Sequence, residues 1–401
     1  MTAYAKLSAL LPHNTSLVRN AQVSKENRVE KKNEATAFST APEITGFEHA
    51  EHALYEPLNS PDKIRIVRIN PGSREERLAC TISHVKLGSE TYEALSYEWG
   101  LASDDDPFIL IDGRNTRIRT NLRNALVEIR YKDRPRYVWI DALSINQADI
   151  QERNHQVRMM REIYQGAQHV IIWLGPEEDQ SSMAIDYLAT LGRRETAYKK
   201  KLIRKMAYKC AALSALSALS MRSYWRRVWV QQEIYLARRF TVCCGNRSIG
   251  DYDFITAITW LGGETDMHWR NVNQSPCYPI MKTLVDKILH GTQTYLGRWL
   301  DMSRAQQLQA SEARDLIYAL LAISADCQKS EIIADYDKPV DEVYLETIKA
   351  IEAHGTTYRD RQDEDAFKRD LAYRLGLDYD NDLRQRLEPW RNFISSRWMR
   401  P

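Results

Sequence analysis

The sequence of 401 residues lacks any apolar run of the roughly 20 residues that a membrane-spanning helix needs. It also lacks a strong charge of either sign, because 56 Lys and Arg residues against 54 Asp and Glu residues leave a net charge of +2. This balance argues against a protein that works mainly by coating nucleic acid or an anionic membrane. We therefore expect neither a nucleic-acid partner nor a membrane partner.

Short motifs that bind metals or phosphates are missing as well. The six cysteines form no CxxC pair, and we expect reduced thiols in a cytoplasmic protein. His49 and His52 have ligand-like spacing, but no second pair accompanies them to complete a metal site. The glycine-rich phosphate loops GxGxxG and GxxxxGK(S/T) do not occur. The sequence thus predicts no metal ion and no bound cofactor.

What the chain does contain is a pattern typical of an α/β protein. Residues 1–48 have little periodicity and predict a disordered tail, whereas short β-branched runs begin at residue 63. A hairpin is expected to turn at Asp112-Gly113. Residues 137–143 and 169–175 are apolar runs typical of strands buried on both faces, with a helical pattern between them. Strand, helix and strand at this spacing predict βαβ units and a parallel sheet.

The remaining elements are mostly helical. Asn121 is expected to cap the first long helix. A helical region follows from about 181 to 237, and FTVCCGNRSIG at 240–250 predicts a strand and a turn. The segment 193–209 carries eight basic residues against one acidic residue. It would suit either an anionic lipid or regulatory partner, or a solvated insertion.

Three blocks of sequence, in order, carry a resemblance to a known family. They are YEALSYEWG at 92–100, VWIDALSINQADIQERNHQVRMMREIYQGAQHVIIWLG at 138–175 and RRVWVQQEI at 226–234. Together they resemble the fungal heterokaryon-incompatibility (HET) domain, and the likeness extends over about residues 54–350. Ser144 departs from the family pattern, which commonly has cysteine at that position.

The resemblance implies a fold and an organisation. HET domains are distantly similar to Toll/interleukin-receptor (TIR) domains, which implies a flavodoxin-like, mostly parallel sheet with flanking helices. The runs at 64–70 and 78–87 predict a pair of antiparallel N-terminal strands beside it. The HET domain would occupy residues 49–250. A mainly helical C-terminal region would follow at 251–355, and a charged, partly docked tail at 356–401.

The resemblance also implies two alternative activities. HET proteins are effectors of non-self recognition and programmed cell death. Some TIR domains hydrolyse NAD with a glutamate to which Glu233 corresponds, which implies an NAD(P) glycohydrolase with NAD or NADP as substrate. Other TIR domains are not enzymes, and the chain would then be an interaction module that signals by self-association or through another incompatibility protein.

Trp229 and Glu233 are the residues that the enzymatic hypothesis needs most. They stand four apart and so share a face if the segment is helical. The indole of Trp229 would stack on the nicotinamide ring, while the Glu233 carboxylate would act as the catalytic group that stabilises the cationic ribose. Alternatively, Trp229 anchors its helix in the core and Glu233 pairs with Arg226 or Arg227.

Further substrate-binding candidates lie where strands are predicted to end, because open α/β sheets bind ligands at the carboxyl ends of their strands. These candidates are Ser96, Tyr97 and Trp99 after one strand, and Asp141, Asn146 and Gln147 after another. Tyr97 would equally suit the core. The Asp and Asn side chains would equally suit capping of the following helix and bonding of loop amides.

Overall fold

The computed structural model describes residues 55–193, 210–263, 270–327, 332–353 and 361–387. The predicted tail at 1–48 lies outside the described residues, and so does the pair His49 and His52. The basic segment after residue 193 also lies outside them, as do residues 388–401 of the predicted charged tail.

The described strands form one nine-stranded sheet with the order β5-β4-β2-β1-β6-β3-β7-β8-β9. The strands are β1 Lys63–Ile69, β2 Ala79–Lys86, β3 Glu93–Tyr97, β4 Phe108–Ile111, β5 Arg114–Arg117, β6 Arg136–Trp139, β7 His169–Trp173, β8 Phe240–Cys244 and β9 Arg247–Gly250.

The centre of the sheet is parallel. β6, β3, β7 and β8 are parallel neighbours, whereas β1 pairs antiparallel with both β2 and β6. Counted along the chain, the four parallel strands have the order 2-1-3-4, which is the order of flavodoxin-type doubly wound sheets. The predicted α/β sheet with antiparallel N-terminal strands is therefore confirmed.

Helices cover the sheet and continue into a mainly helical C-terminal region, as predicted. They are α1 Thr120–Ile129, α2 Asp141–Ser144, α3 Ile150–Gly166, α4 Ser181–Arg193, α5 Cys210–Ser220, a 3-10 helix Ser223–Arg226, α6 Trp229–Leu236, α7 Asp251–Gly263, α8 Arg270–Asn273, α9 Cys277–His290, α10 Leu296–Ala305, α11 Asp315–Leu321, α12 Val340–Ala353, α13 Arg361–Arg374 and α14 Asn381–Gln385. Within the described ranges, no helix has the length and apolar character needed to cross a membrane.

The two faces of the sheet contribute to two separate cores. Successive side chains of a strand point to opposite faces, so Ala94 and Val170 join one core while Leu95 and Ile171 join the other. The smaller core lies under α1. The larger core includes residues of α3, α6 and the C-terminal helices. The helices after residue 250 thus share a core with one face of the sheet.

The hairpin predicted at Asp112-Gly113 is confirmed. β4 and β5 pair antiparallel on either side of these two residues. Their φ angles are 49° and 77°, as a type I′ turn requires at both central positions.

The prediction that Asn121 caps a helix is wrong. α1 begins one residue earlier, and the backbone N–H of Thr120 donates 3.0 Å to the carboxylate of Asp106 instead. An Asn side chain caps only from the position before the first helical turn, and Asn121 already lies inside it. Its amide donates 2.6 Å to the carbonyl of Glu98 and accepts 2.9 Å from the indole of Trp173. Asn121 therefore connects the carboxyl ends of β3 and β7.

Gly192 is required where α4 packs closely against α7. A Cβ at this position would lie 2.5 Å from both the Cα and the carbonyl oxygen of Asp253. Because these are backbone atoms, we expect Gly192→Ala to lower the free energy of unfolding by about 1–3 kcal/mol in denaturant titrations. Gly263→Ala is the control, since a Cβ there meets no atom within 4 Å. Equal losses in the two variants would contradict this explanation.

Candidate functional site

A polar cluster lies at the carboxyl edge of the parallel strands. Ser96 and Tyr97 are the last two residues of β3, and Asp141 opens α2 directly beyond β6. Glu233 comes from α6, in the connection between β7 and β8. The strand order reverses beside β3, and at such a switch point two connections leave in opposite directions and open a crevice. The topology therefore brings residues from all three motif blocks to one place.

Glu233 is at the centre of this cluster. The residue is 1% exposed, and its Oε2 accepts a hydrogen bond from the hydroxyl of Ser96. The Ser96 Oγ also lies 2.6 Å from the hydroxyl of Tyr224, and Tyr224 is the donor whenever Ser96 donates its own proton to the ionised Glu233. The guanidinium of Arg227 lies 3.9 Å from Oε1 of Glu233. The carboxylate therefore has a neutral donor on one oxygen and a cation near the other.

Burial controls the protonation of Glu233. Removal from water raises the pKa of its carboxyl group to about 7, against the opposing effects of Arg227 and of the Ser96 hydrogen bond. The nearby Asp141 adds to the increase. A pKa in this range leaves Glu233 distributed between its protonated and ionised forms near neutral pH.

Trp99 and Asp141 form the outer side of the cluster. The indole N–H of Trp99 donates 2.8 Å to Oδ2 of Asp141, and Trp99 is 36% exposed. The guanidinium of Arg227 donates to the carbonyl of Tyr97. The hydroxyl of Tyr97 is buried beside the carboxylate of Asp141. Its pKa is raised well above the ordinary value by burial and by the charge of Asp141.

Asn146 and Gln147 bond their own loop. The side-chain amide of Gln147 donates 3.1 Å to the carbonyl of Asp141, and the Asn146 oxygen accepts 3.3 Å from the backbone N–H of Ala148. Asp149 caps α3 by accepting two N–H groups of its first turn. Asn146 also lines a cleft of about 410 Å³ near residues 57–61, away from Glu233. These contacts match the capping and loop-bonding alternative.

The structure gives Trp229 a different neighbour from Glu233. Its indole N–H hydrogen-bonds to the carboxylate of Asp315 in α11, which also accepts 2.5 Å from the hydroxyl of Tyr336. Trp229 is half-buried and packs against the larger core, as the core-anchor alternative states. The exposed aromatic ring of the cluster is that of Trp99 instead.

Two members of the cluster were missed or undervalued by sequence reasoning. The sequence suggests Arg227 only as a structural partner of Glu233, and it suggests no role for Tyr224. Tyr224 lies in the 3-10 helix and Arg227 directly follows it, and the N–H of Arg227 donates 3.2 Å to the carbonyl of Tyr224. This spacing of three would have predicted that both side chains leave the turn together, but nothing in the sequence distinguishes Tyr224 from other core tyrosines.

A buried ion pair supports the loop that follows α2. Arg65 on β1 is 0% exposed, and its Nη2 donates 2.9 Å to Oε2 of Glu152 in α3. Its Nη1 donates 3.1 Å to the carbonyl of Ser144, while the N–H of Asn146 donates 2.7 Å to Glu152. The Ser144 hydroxyl accepts 3.1 Å from the N–H of Ile140. The Ser144 side chain thus serves as a hydrogen-bond acceptor at the end of α2.

The fold and the site together define an α/β domain with a doubly wound parallel centre and a buried polar cluster at its carboxyl edge. Comparison with protein families gives the domain its identity. The profile of the family described as Heterokaryon incompatibility protein (HET) matches residues 92–233. These residues therefore carry a HET domain, and the prediction from the three sequence blocks is confirmed. The whole polar cluster lies within the matched range.

A curated relative agrees with this family. The chain is 25% identical to Heterokaryon incompatibility protein 6, OR allele, of Neurospora crassa over 372 residues, which covers 76% of this chain and 53% of the relative. The chain thus spans about half the length of that protein. The comparison with solved structures gives no match.

Proposed function

We propose that this chain is an effector of heterokaryon incompatibility that triggers cell death, and that the Glu233 cluster cleaves the nicotinamide glycosidic bond of NAD or NADP. The HET domain at 92–233 and the name of the relative support the first part. The geometry and protonation of Glu233 support the second.

The observation that carries the enzymatic proposal is the position of a buried carboxyl group with a pKa of about 7 at the switch point of the sheet. A carboxyl whose pKa is raised by burial destabilises the fold at neutral pH, and a neutral side chain of the same size would avoid this cost. Groups of this kind concentrate in active sites, where a pKa near the working pH serves proton transfer best.

In this reaction Glu233 would have two roles, to stabilise a positive charge and to accept a proton. The bond between the ribose carbon and the nicotinamide nitrogen breaks, and its electron pair stays on the ring nitrogen, which loses its positive charge. The ionised carboxylate of Glu233 would stabilise the cationic ribose and then accept a proton from the water that attacks it. Ser96 and Tyr224 orient this carboxylate through their hydrogen bonds.

Access to Glu233 requires an opening movement. Trp99 and Asp141 close the outer side of the cluster through their hydrogen bond of 2.8 Å. When that bond breaks, the Trp99 indole would be available to stack on a flat ring. Self-association of the chain, or contact with another incompatibility protein, would supply the energy for this movement and so link recognition to activity.

A second candidate function is a non-enzymatic interaction module that signals by self-association. The observation that favours it is that Glu233 is 1% exposed and has partners at both carboxylate oxygens. On this proposal the cluster stabilises the carboxyl edge of the sheet, and the surface around Trp99 contacts the partner.

Glu233→Gln separates the two functions. The change keeps the side-chain volume and the Ser96 hydrogen bond but removes the charge, so we expect NAD cleavage to fall at least about hundredfold. NAD content and viability are followed together in cells that express each variant, and NAD cleavage is measured with the purified chain. Glu352→Gln is the matched control. Glu352 is also buried and pairs with a cation, Lys368, but it lies in α12 and is not part of the Glu233 cluster.

The outcomes of this experiment are distinct. Loss of both NAD cleavage and cell death in Glu233→Gln, with both kept in Glu352→Gln, supports the enzyme. Cell death that persists in Glu233→Gln while NAD stays constant contradicts it and favours the interaction module.

A further inference from the structure

A second cleft, of about 240 Å³, lies at the carboxyl end of α6. α3 contributes Arg161 and Gln165, α6 contributes Tyr235, and α9 contributes Lys287. The loop from Gly291 to Thr294 completes the wall. This cleft is separate from the Glu233 cluster, although both involve α6.

The cleft is cationic. Arg161 and Lys287 both line it, and none of the described residues that line it is acidic. Neither cation forms an ion pair with a carboxylate within the described ranges. Burial and the charge of Arg161 together lower the pKa of Lys287. Two like charges in one half-buried cleft repel each other, and a bound negative charge would relieve this repulsion.

Carbonyl groups at helix ends accept only some of the hydrogen bonds that these two cations can donate. Arg161 donates to the carbonyl of Ala322, which follows α11, and Lys287 donates 2.5 Å to the carbonyl of Tyr235 in α6. An arginine carries five N–H donors and a lysine three, so both keep donors to spare. The Lys287 ammonium also lies 4.1 Å from the ring centroid of Tyr235, which holds it in place.

Neutral polar groups complete the lining. Gln165, Thr292, Gln293 and Thr294 all border the cleft and carry amide or hydroxyl groups that can donate hydrogen bonds. The volume is below the roughly 300 Å³ at which pockets for drug-sized molecules begin, so it suits a small charged group rather than a whole nucleotide. Two cations surrounded by neutral donors are a typical environment for phosphoryl oxygens.

From this geometry we infer that the cleft formed by Arg161, Lys287 and the loop 291–294 binds a phosphoryl group, as one end of a soluble phosphate ester or of a phosphorylated lipid headgroup. The bound group lies against the last turn of α6, and α6 carries Glu233. The inference does not depend on NAD cleavage, because binding is measured without any turnover.

The test uses the full chain and inorganic pyrophosphate at constant ionic strength, with sodium chloride as the balancing salt. Titration calorimetry is expected to show saturable binding with a dissociation constant of about 1 mM or tighter. Lys287→Met and Arg161→Gln are each expected to weaken this binding at least about tenfold, because each removes a charged hydrogen-bond donor. The thermal midpoint of every variant without ligand shows that it is folded.

Arg158→Gln is the matched control. Arg158 lies one turn earlier on α3 and donates 2.8 Å to the carbonyl of Ala334, the same kind of bond that Arg161 makes. We expect it to bind pyrophosphate as the unchanged chain does. Absence of saturable binding in the unchanged chain would overturn the inference and leave the two cations as helix caps only. An equal loss in all three variants would overturn it as well.

A second arm distinguishes the sources of the phosphoryl group. Phosphatidylcholine vesicles with and without a phosphoinositide are sedimented with the chain and with Lys287→Met. Binding to both pyrophosphate and phosphoinositide vesicles, lost in Lys287→Met, assigns a lipid headgroup. Binding to pyrophosphate alone assigns a soluble phosphate ester.

Discussion

Arg65→Met is expected to lower the free energy of unfolding by about 3–5 kcal/mol, because it leaves a buried carboxylate without its cation. Arg65 is fully buried, and Glu152 has a side chain that is only 9% exposed. The two nitrogens of the guanidinium face the two oxygens of the carboxylate, a bidentate arrangement that methionine cannot replace. Equilibrium unfolding in denaturant measures the loss.

An exposed ion pair in the same domain provides the control. Arg74 and Glu128 also form a close pair, but their side chains are 54% and 21% exposed. Arg74→Met is therefore expected to cost less than about 1 kcal/mol. The double variant Arg65→Met with Glu152→Leu should recover much of the loss, since it removes the unpaired charge as well. Equal losses in Arg65→Met and Arg74→Met would contradict the explanation.

The importance of Arg65 was not visible in the sequence, although the strand that contains it was. A run such as IRIVRIN predicts a strand because its β-branched residues have local preferences. The contact of Arg65 with Glu152 joins residues 87 positions apart and depends on β1 lying beside β6. Local patterns predict elements well, whereas the pairing of β1 with a distant strand depends on long-range contacts that no local pattern contains.

The same limit applies to the candidate site. Apolar strands with a helix between them predict a parallel sheet, and in such a sheet the carboxyl ends meet at one edge, so Ser96 and Asp141 could be predicted as neighbours. The spacing of Trp229 and Glu233 predicts that both lie on one face of α6. It does not predict which other elements of the fold that face contacts. α6 is buried from Val230 to Leu236. Glu233 contacts Ser96 of the sheet, whereas Trp229 contacts Asp315 of α11.

The stability of the protein is expected to depend on the ionisation of Glu233. Burial raises the pKa of Glu233 from 4.5 to about 7, so the folded state binds a proton more tightly than the unfolded state. This contribution to stability is fully present below pH 4.5 and is lost as pH rises through 7. Relative to the unchanged chain, Glu233→Gln should therefore gain on the order of 3 kcal/mol between pH 4.5 and 7.

Asp106→Asn is the control, because the pKa of Asp106 is shifted in the opposite direction from that of Glu233. The hydrogen bond from Arg119 lowers the pKa of Asp106 to about 2, so its stabilising effect is lost only as the solution is acidified below its ordinary pKa of 3.8. The difference between Asp106→Asn and the unchanged chain should stay constant from pH 4.5 to 7. Unfolding titrations at several pH values compare the three proteins. If the difference in free energy of unfolding between Glu233→Gln and the unchanged chain is also constant, Arg227 and Ser96 fully offset the effect of burial on the pKa. Glu233 would then be an ordinary ionised carboxylate whose pKa is too low for proton transfer near neutral pH.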